Sequence, residues 1–347
     1  MEKAWATGAK HFDASEESML QFKQYLRTRS RPTNLHTVSV RRGIRLVVFC
    51  ITSAVASMYA QVVTRPMSSE RSELTILKQV QEVNFAFTVT DRRGRLVNNL
   101  TQSQLLILDN DQRAGQITYF ESRTNLPLRI ALVMDISDSV TYCLNSERKT
   151  AVTFLKRNLR PNRDRAAIIA FNETVRLVQS PTADLRLLTQ SLKEVHVGGE
   201  TAIYDAVATA SHELARIPDS QPSRRVIVLI TDGEDNRSRI TLQQAADLAL
   251  KNETAVYVVS TNSPSFPDTQ DKGDQAMKQL ARDTGGTFLN TKGDLDNAFL
   301  KIEKELRSQY VIGYKPPNTT PDGQFHRLKL LGPGRLRFFH RTGYFAK

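Results

Sequence analysis

Hydrophobic positions along this chain follow two rules. After Arg129, residues 130–134 (IALVM) are apolar without a break, and so are residues 226–230 (VIVLI). Unbroken runs of that length suit strands covered on both faces, as in a parallel sheet. In Val83–Thr90 the apolar residues alternate instead, with Val83, Phe85, Phe87 and Val89 on one side and Asn84, Ala86, Thr88 and Thr90 on the other. That period of two predicts a half-buried strand, and Asp91-Arg-Arg-Gly94 supplies the turn after it.

The middle of the chain alternates between strand and helix patterns. A strand over 129–134 precedes a helix near 146–159. A strand over 166–171 can form a hairpin with 175–179. Asp184 is placed to cap a helix running to Leu192. Residues 201–217 read as helical, with Ile203, Val207, Ala210 and Leu214 on one face. After the 226–230 strand, Thr241 caps a helix to Lys251, and 255–260 is a strand. A helix over 275–283 stops at Gly285-Gly286, a short strand covers 287–289, and a helix over 295–306 closes the set. Short strand patterns flank this region: 105–108 and 116–120 before it, and Tyr310–Tyr314, Phe325–Leu331 and 336–339 after it. Neither group has enough strands for its own core, so both are expected to pair into one small β-sandwich.

Residues 1–40 show no apolar period. A basic flank at Arg41-Arg-Gly-Ile-Arg45 then leads into an uncharged run over 46–64. This reads as a secretory signal ending near Ala60, or as an uncleaved membrane anchor. Met58 stands where a small residue is usual before cleavage, and a start nearer Val38 or Val40 would fit a signal better. The expected location is secreted, periplasmic or cell-surface. The expected organisation is an extension with signal or anchor over 1–60, a linker over 61–82, an accessory β segment over 83–126, the α/β domain over 127–309 and a C-terminal β segment over 310–347.

Composition adds little. The chain has 347 residues, 40% hydrophobic and 24% charged, ordinary for a globular protein. The net charge of +12 is uneven, with nine Lys/Arg against four Asp/Glu in residues 1–60. No basic stripe interleaved with aromatics and no nucleic-acid motif accompanies it, so no nucleic-acid partner is expected. Two cysteines, Cys50 and Cys143, form neither a disulfide framework nor a Cys-based metal site.

Chemistry is concentrated where the apolar strands end. The run ALVMDISDS (131–139) gives D-x-S-x-S, and in an extended loop Asp135, Ser137 and Ser139 would project to one side. Thr201 follows Gly198-Gly-Glu, and Asp232 follows the second strand within Thr231-Asp-Gly-Glu-Asp-Asn236. An oxygen-only set without His or Cys suits a hard divalent cation, Mg²⁺ before Ca²⁺. Ligands of parallel sheets sit beyond the carboxyl ends of the strands, where Asp135 and Asp232 fall.

These three segments together resemble the metal-ion-dependent adhesion site of von Willebrand factor A domains, over roughly residues 127–310. The flanks, including 85–94, 124–128, Gly313-Tyr-Lys-Pro and Arg341-Thr-Gly-Tyr344, are similar to the related domain proteins of acidobacteria. The resemblance implies an α/β fold with a doubly wound, mostly parallel, Rossmann-like sheet. It implies Mg²⁺ (or Mn²⁺/Ca²⁺) held directly by Ser137 and Ser139, by Thr201 directly or through water depending on state, with Asp135 and Asp232 acting mostly through waters and hydrogen bonds. It also implies a protein partner that offers a carboxylate as the last ligand. Asp138 departs from the family's usual glycine, and Glu200 and Glu234 add negative charge close by in sequence. The expected function is metal-dependent protein binding in adhesion or assembly, without catalysis. The alternative is a structural domain whose metal only stabilises the fold. A hydrolase would need a base beside the ion, and neither His196 nor His212 is placed for it. Phosphate-binding glycine motifs are absent from the sequence.

Overall fold

The structure is a computed structural model that describes residues 82–122, 125–219, 222–262, 267–291 and 293–347, with side chains of 267–271 left aside. The extension and export segment expected over 1–60, and the linker up to residue 81, lie outside the described residues. Contacts divide the chain into Met1–Phe22 with Val80–Lys347 and a second unit, Lys23–Gln79; every described residue belongs to the first.

The unbroken apolar runs become the two central strands of a six-stranded sheet. Strand β5 (Leu128–Asp135) is buried at all eight positions. It pairs in parallel with β8 (Arg224–Thr231) on one side and β6 (Arg165–Phe171) on the other. Outside β8 lie β9 (Thr254–Ser260) and β10 (Phe288–Asn290), both parallel, while β7 (Val175–Thr182) closes the far edge antiparallel to β6. Leu128, Ile130, Leu132 and Met134 point to one face and Ala131 and Val133 to the other. The first face packs on α1 (Leu144–Asn158), α2 (Leu185–Lys193) and α6 (Leu295–Ser308). The second packs on α3 (Ile203–Ala215), α4 (Leu242–Lys251) and α5 (Pro267–Thr284). Each fully buried Leu, Ile or Val contributes roughly 1.5–3 kcal/mol relative to exposure, so coverage on both faces selects this doubly wound arrangement.

Two caps expected from sequence form as hydrogen bonds. The Asp184 carboxylate accepts from Arg186 N at 2.8 Å. At α4, Thr241 Oγ1 accepts from Gln244 N while Gln244 Oε1 accepts from Thr241 N, a reciprocal box. The helix expected from Thr201 begins at Ile203, and the one expected from 275 begins at Pro267.

The flanking segments pair with each other. Strand β1 (Val83–Thr90) runs antiparallel to β11 (Tyr310–Tyr314), with Val83 opposite Tyr314 and Phe87 opposite Tyr310. The first small sheet has the order β13 (Arg337–His340), β1, β11, β4 (Ile117–Ser122). The second has the order β14 (Gly343–Phe345), β12 (Phe325–Leu331), β2 (Leu106–Asp109), β3 (Gln112–Arg113). Phe85, Phe87, Tyr310, Ile312, Ile107, Leu328 and Leu330 fill the space between them. The two-residue β3 and the β14 edge carry no pattern long enough to be read from sequence.

Candidate metal centre

The order of the central sheet reverses between β5 and β8. The chain leaves β5 toward β6 on one side and leaves β8 toward β9 on the other. The crevice at their carboxyl ends is where such sheets take ligands, and Asp135 and Asp232 lie there.

Asp135 is fully buried at the end of β5. Its Oδ1 accepts from Ser137 N at 2.9 Å, and its Oδ2 accepts from Thr231 Oγ1 at 2.7 Å. Burial pushes its carboxyl up to about 6, against the pull of those hydrogen bonds, and the nearby Asp232 adds to the rise. The loop beyond is not extended throughout, as the sequence reading assumed. Ser137 is extended, but Asp138–Val140 forms a 3-10 turn. The turn still brings Ser137 Oγ to 3.0 Å from Ser139 Oγ. Asp138 is exposed, so the departure at this position faces solvent.

Thr201 comes in from the loop before α3. This loop is tied to the β5 loop by Asp138 N to Gly199 O at 3.0 Å and Gly198 N to Ile136 O at 2.8 Å. Thr201 is buried; its N–H donates to Asn236 Oδ1, and its carbonyl accepts from Asn236 N and Arg237 N. Its hydroxyl makes no hydrogen bond among the described residues. Asp235 Oδ1 accepts from Ile203 N at 2.7 Å and caps α3 from outside the helix. The sequence placed Thr201 inside α3; instead this borrowed cap starts the helix two residues later and leaves Thr201 in the loop.

Asp232 follows β8. Gly233 turns the chain at φ +92°, a conformation that side-chain-bearing residues rarely adopt. Asp232 Oδ1 is buried without a partner among the described residues. A second such oxygen is Glu147 Oε2, on a fully buried side chain in the first turn of α1. Burial raises the Glu147 carboxyl to about 7; the Cys143 hydrogen bond opposes this, and Asp135 and Asp232 add to it. Cys143 is half-buried; its thiol donates to Glu147 Oε1 at 3.1 Å, and burial beside that carboxylate pushes the thiol well up. It therefore stays protonated and is a poor nucleophile.

Sequence reasoning missed Glu147, Thr231, Asn236 and Asp235. Glu147 could have been found: it lies three residues after Leu144 and four before Ala151, on the apolar stripe of its helix. Glu200 and Glu234 are both exposed, and Glu200 is paired with Arg237. His196 and His212 are exposed as well.

The donor set fits a hard cation. Two hydroxyls in contact, a third without a protein partner and a buried orphan carboxylate oxygen are what such an ion would satisfy. Among the described residues no group of three or more His, Cys, Asp or Glu forms a metal site by itself, and the fit here depends on the hydroxyls.

A doubly wound α/β domain with an oxygen-lined crevice at its switch point is the class these features define. Residues 130–234 match the von Willebrand factor type A domain family, so the chain carries a von Willebrand factor A domain. Over 146 residues it is 31% identical to the magnesium-chelatase 67 kDa subunit of Heliobacterium mobile, covering 42% of this chain and 21% of that protein. The chain thus spans about a fifth of that relative's length. Among solved structures, it is similar to an aerotolerance-related membrane protein from Bacteroides fragilis (19% identity, 52% of this chain and 98% of that one, TM-score 0.43). It is also similar to the von Willebrand factor domain of a type V pili tip protein from Porphyromonas gingivalis (12% identity, 52% and 95%, TM-score 0.43).

Proposed function

We propose that this protein is an exported, metal-dependent protein-binding module used in adhesion or assembly, and not an enzyme. The observation that carries the proposal is the meeting of Ser137 and Ser139 hydroxyls at 3.0 Å beside the buried, hydrogen-bonded Asp135. Ser137, Ser139 and Thr201 would hold Mg²⁺ (or Mn²⁺/Ca²⁺), with Asp135 and Asp232 supplying charge around them. A divalent cation bound there would supply an electrophilic position open to a carboxylate oxygen. Neutral hydroxyls keep it so, because they do not cancel the ion's charge. Tyr142, 70% exposed and close enough for its phenol to feel Asp232, offers an aromatic contact at the rim, the kind of residue that anchors protein interfaces. Export rests on the 46–64 run; among the described residues no helix is long and apolar enough to cross a membrane.

One observation speaks against the alternative, a domain whose metal only stabilises the fold. Asp135 and Asn236 already fasten the loops through backbone hydrogen bonds. Calorimetric titration with Mg²⁺ and Mn²⁺, wild type beside Ser139→Ala and Asp135→Ala, tests the site. Saturable binding lost in the variants supports it, and absence of binding to wild type refutes it. Capture of a partner by wild type that chelator and Ser139→Ala both abolish, in a folded protein, separates binding from stabilisation.

A further inference from the structure

At the opposite end of the central sheet, the starts of β8 and β9 face the β-sandwich across a cavity of about 780 Å³. Its A-domain wall carries Arg224, Arg225 and Leu250; its sandwich wall carries Ala86, Val311 and Arg341. That size is in the usual range for small-molecule sites, which favour such boundaries.

The arginines are unusual in what they lack. Arg341 is 7% exposed, forms no ion pair among the described residues, and feels the Glu253 carboxylate only through space. One Nη donates to Asn84 O at 3.0 Å, and its Nε is buried without an acceptor. Arg224 likewise forms no ion pair among the described residues; one Nη serves Leu306 O at 2.7 Å and Gln309 Oε1 at 2.8 Å, and its Nε is buried without a partner among them. Arg225 reaches Asp219 only at 3.9 Å, and its Nε is orphaned too. Three acids also line the cavity: Asp219 accepts from Arg129 Nε at 2.9 Å, Glu253 lies 3.8 Å from Lys347, and Glu82 is exposed; none of them forms an ion pair with Arg341 or Arg224 among the described residues. Guanidinium groups taken out of water without a counter-charge are costly. Burial is also the main force lowering the Arg341 and Arg224 ionisations, Arg224 to about 10.

We propose that this cavity binds a small organic anion, whose carboxylate or phosphate group makes the direct ion pair that Arg341 and Arg224 lack among the described residues. The planar donor fork of arginine matches both groups, and Leu250, Ala86 and Val311 would cover an apolar body. The site is separate from the metal crevice and does not depend on it.

Calorimetric titration of the full chain, in chelator, with octanoate and with inorganic phosphate tests the proposal and distinguishes the two head groups. Saturable binding of at least one probe is expected. It should weaken at least about tenfold in Arg341→Gln and in Arg224→Gln and persist in Asp135→Ala. Ala86→Leu narrows the cavity without touching an arginine and should weaken octanoate; it decides the matter if Arg341→Gln does not fold. No saturable binding of either probe to wild type, equal affinity in the folded arginine variants, or loss of binding in Asp135→Ala would each overturn the proposal.

Discussion

Two aspartates, one in the sandwich and one in the crevice, differ in how their buried oxygens are satisfied. In the sandwich, Asp109 is 2% exposed, and protein donors meet both its oxygens. Tyr314 and Tyr344 hydroxyls each donate to Oδ2 at 2.8 Å, and His326 Nδ1 lies 3.3 Å from Oδ1. In the crevice, Asp232 Oδ1 is buried and meets nothing among the described residues. A closed network ties strands together. An open one costs stability, a cost that the cation of the proposed function would offset.

The largest effect should come from breaking the closed network. Asp109→Ala strands two tyrosine hydroxyls and His326, and we expect a loss of about 3–5 kcal/mol, read as a lower urea midpoint. A loss below 1 kcal/mol would mean that the sandwich does not depend on Asp109. Next is the seam between the halves. Gly285 has φ +86°, and an added Cβ would meet Arg341 N at 2.5 Å, next to Thr342 N donating to Asp283 O. Gly285→Ala should cost about 1–3 kcal/mol in thermal unfolding, and an unchanged Tm would show that the seam is loose.

Acid should weaken the sandwich in a way the crevice does not share. His340 Nε2 accepts from Leu330 N at 3.3 Å and Nδ1 donates to Arg341 O at 2.7 Å, which uses both nitrogens of the neutral ring. Burial lowers its ionisation. A base depressed in the folded state contributes stability above its unfolded pKa, about 6.5, and loses it as pH falls through that value. The slope is at most about 1.4 kcal/mol per pH unit, and His340→Gln should flatten it between pH 7.5 and 5.5. A profile identical to wild type would remove His340 as the cause. The smallest effect belongs to the crevice rim. The Arg237–Glu200 pair is at least half-exposed on both sides, so Arg237→Ala should change stability by about 0–1 kcal/mol. A larger loss would mean that the rim holds the Thr201 loop.

Local pattern carried much of this. Val83–Thr90, Tyr310–Tyr314 and Phe325–Leu331 are strands with the bounds their sequence suggests, because alternation and turn residues act over a few positions. Asp135 and Asp232 were legible because an apolar run that ends in aspartate marks the end of a covered strand. Ser139 was legible as a residue of the loop after the first central strand but not as part of a 3-10 turn, since its placement depends on the loop bonded across to Gly199.

The sequence by itself determined the alternating β-α order, the two central strands, the Asp184 and Thr241 caps, and the set of oxygen side chains at the strand ends. Each follows from chain neighbours within a turn or two. It also made pairing of the flanks reasonable, because neither could bury its apolar face alone. Only the tertiary structure decided that Val83 lies opposite Tyr314, that Glu147 is fully buried with its carboxylate bonded to Cys143, and that Arg224 and Arg341 face one cavity. Those outcomes join residues far apart in the chain, and burial across the assembled fold, which no local window contains, selects them.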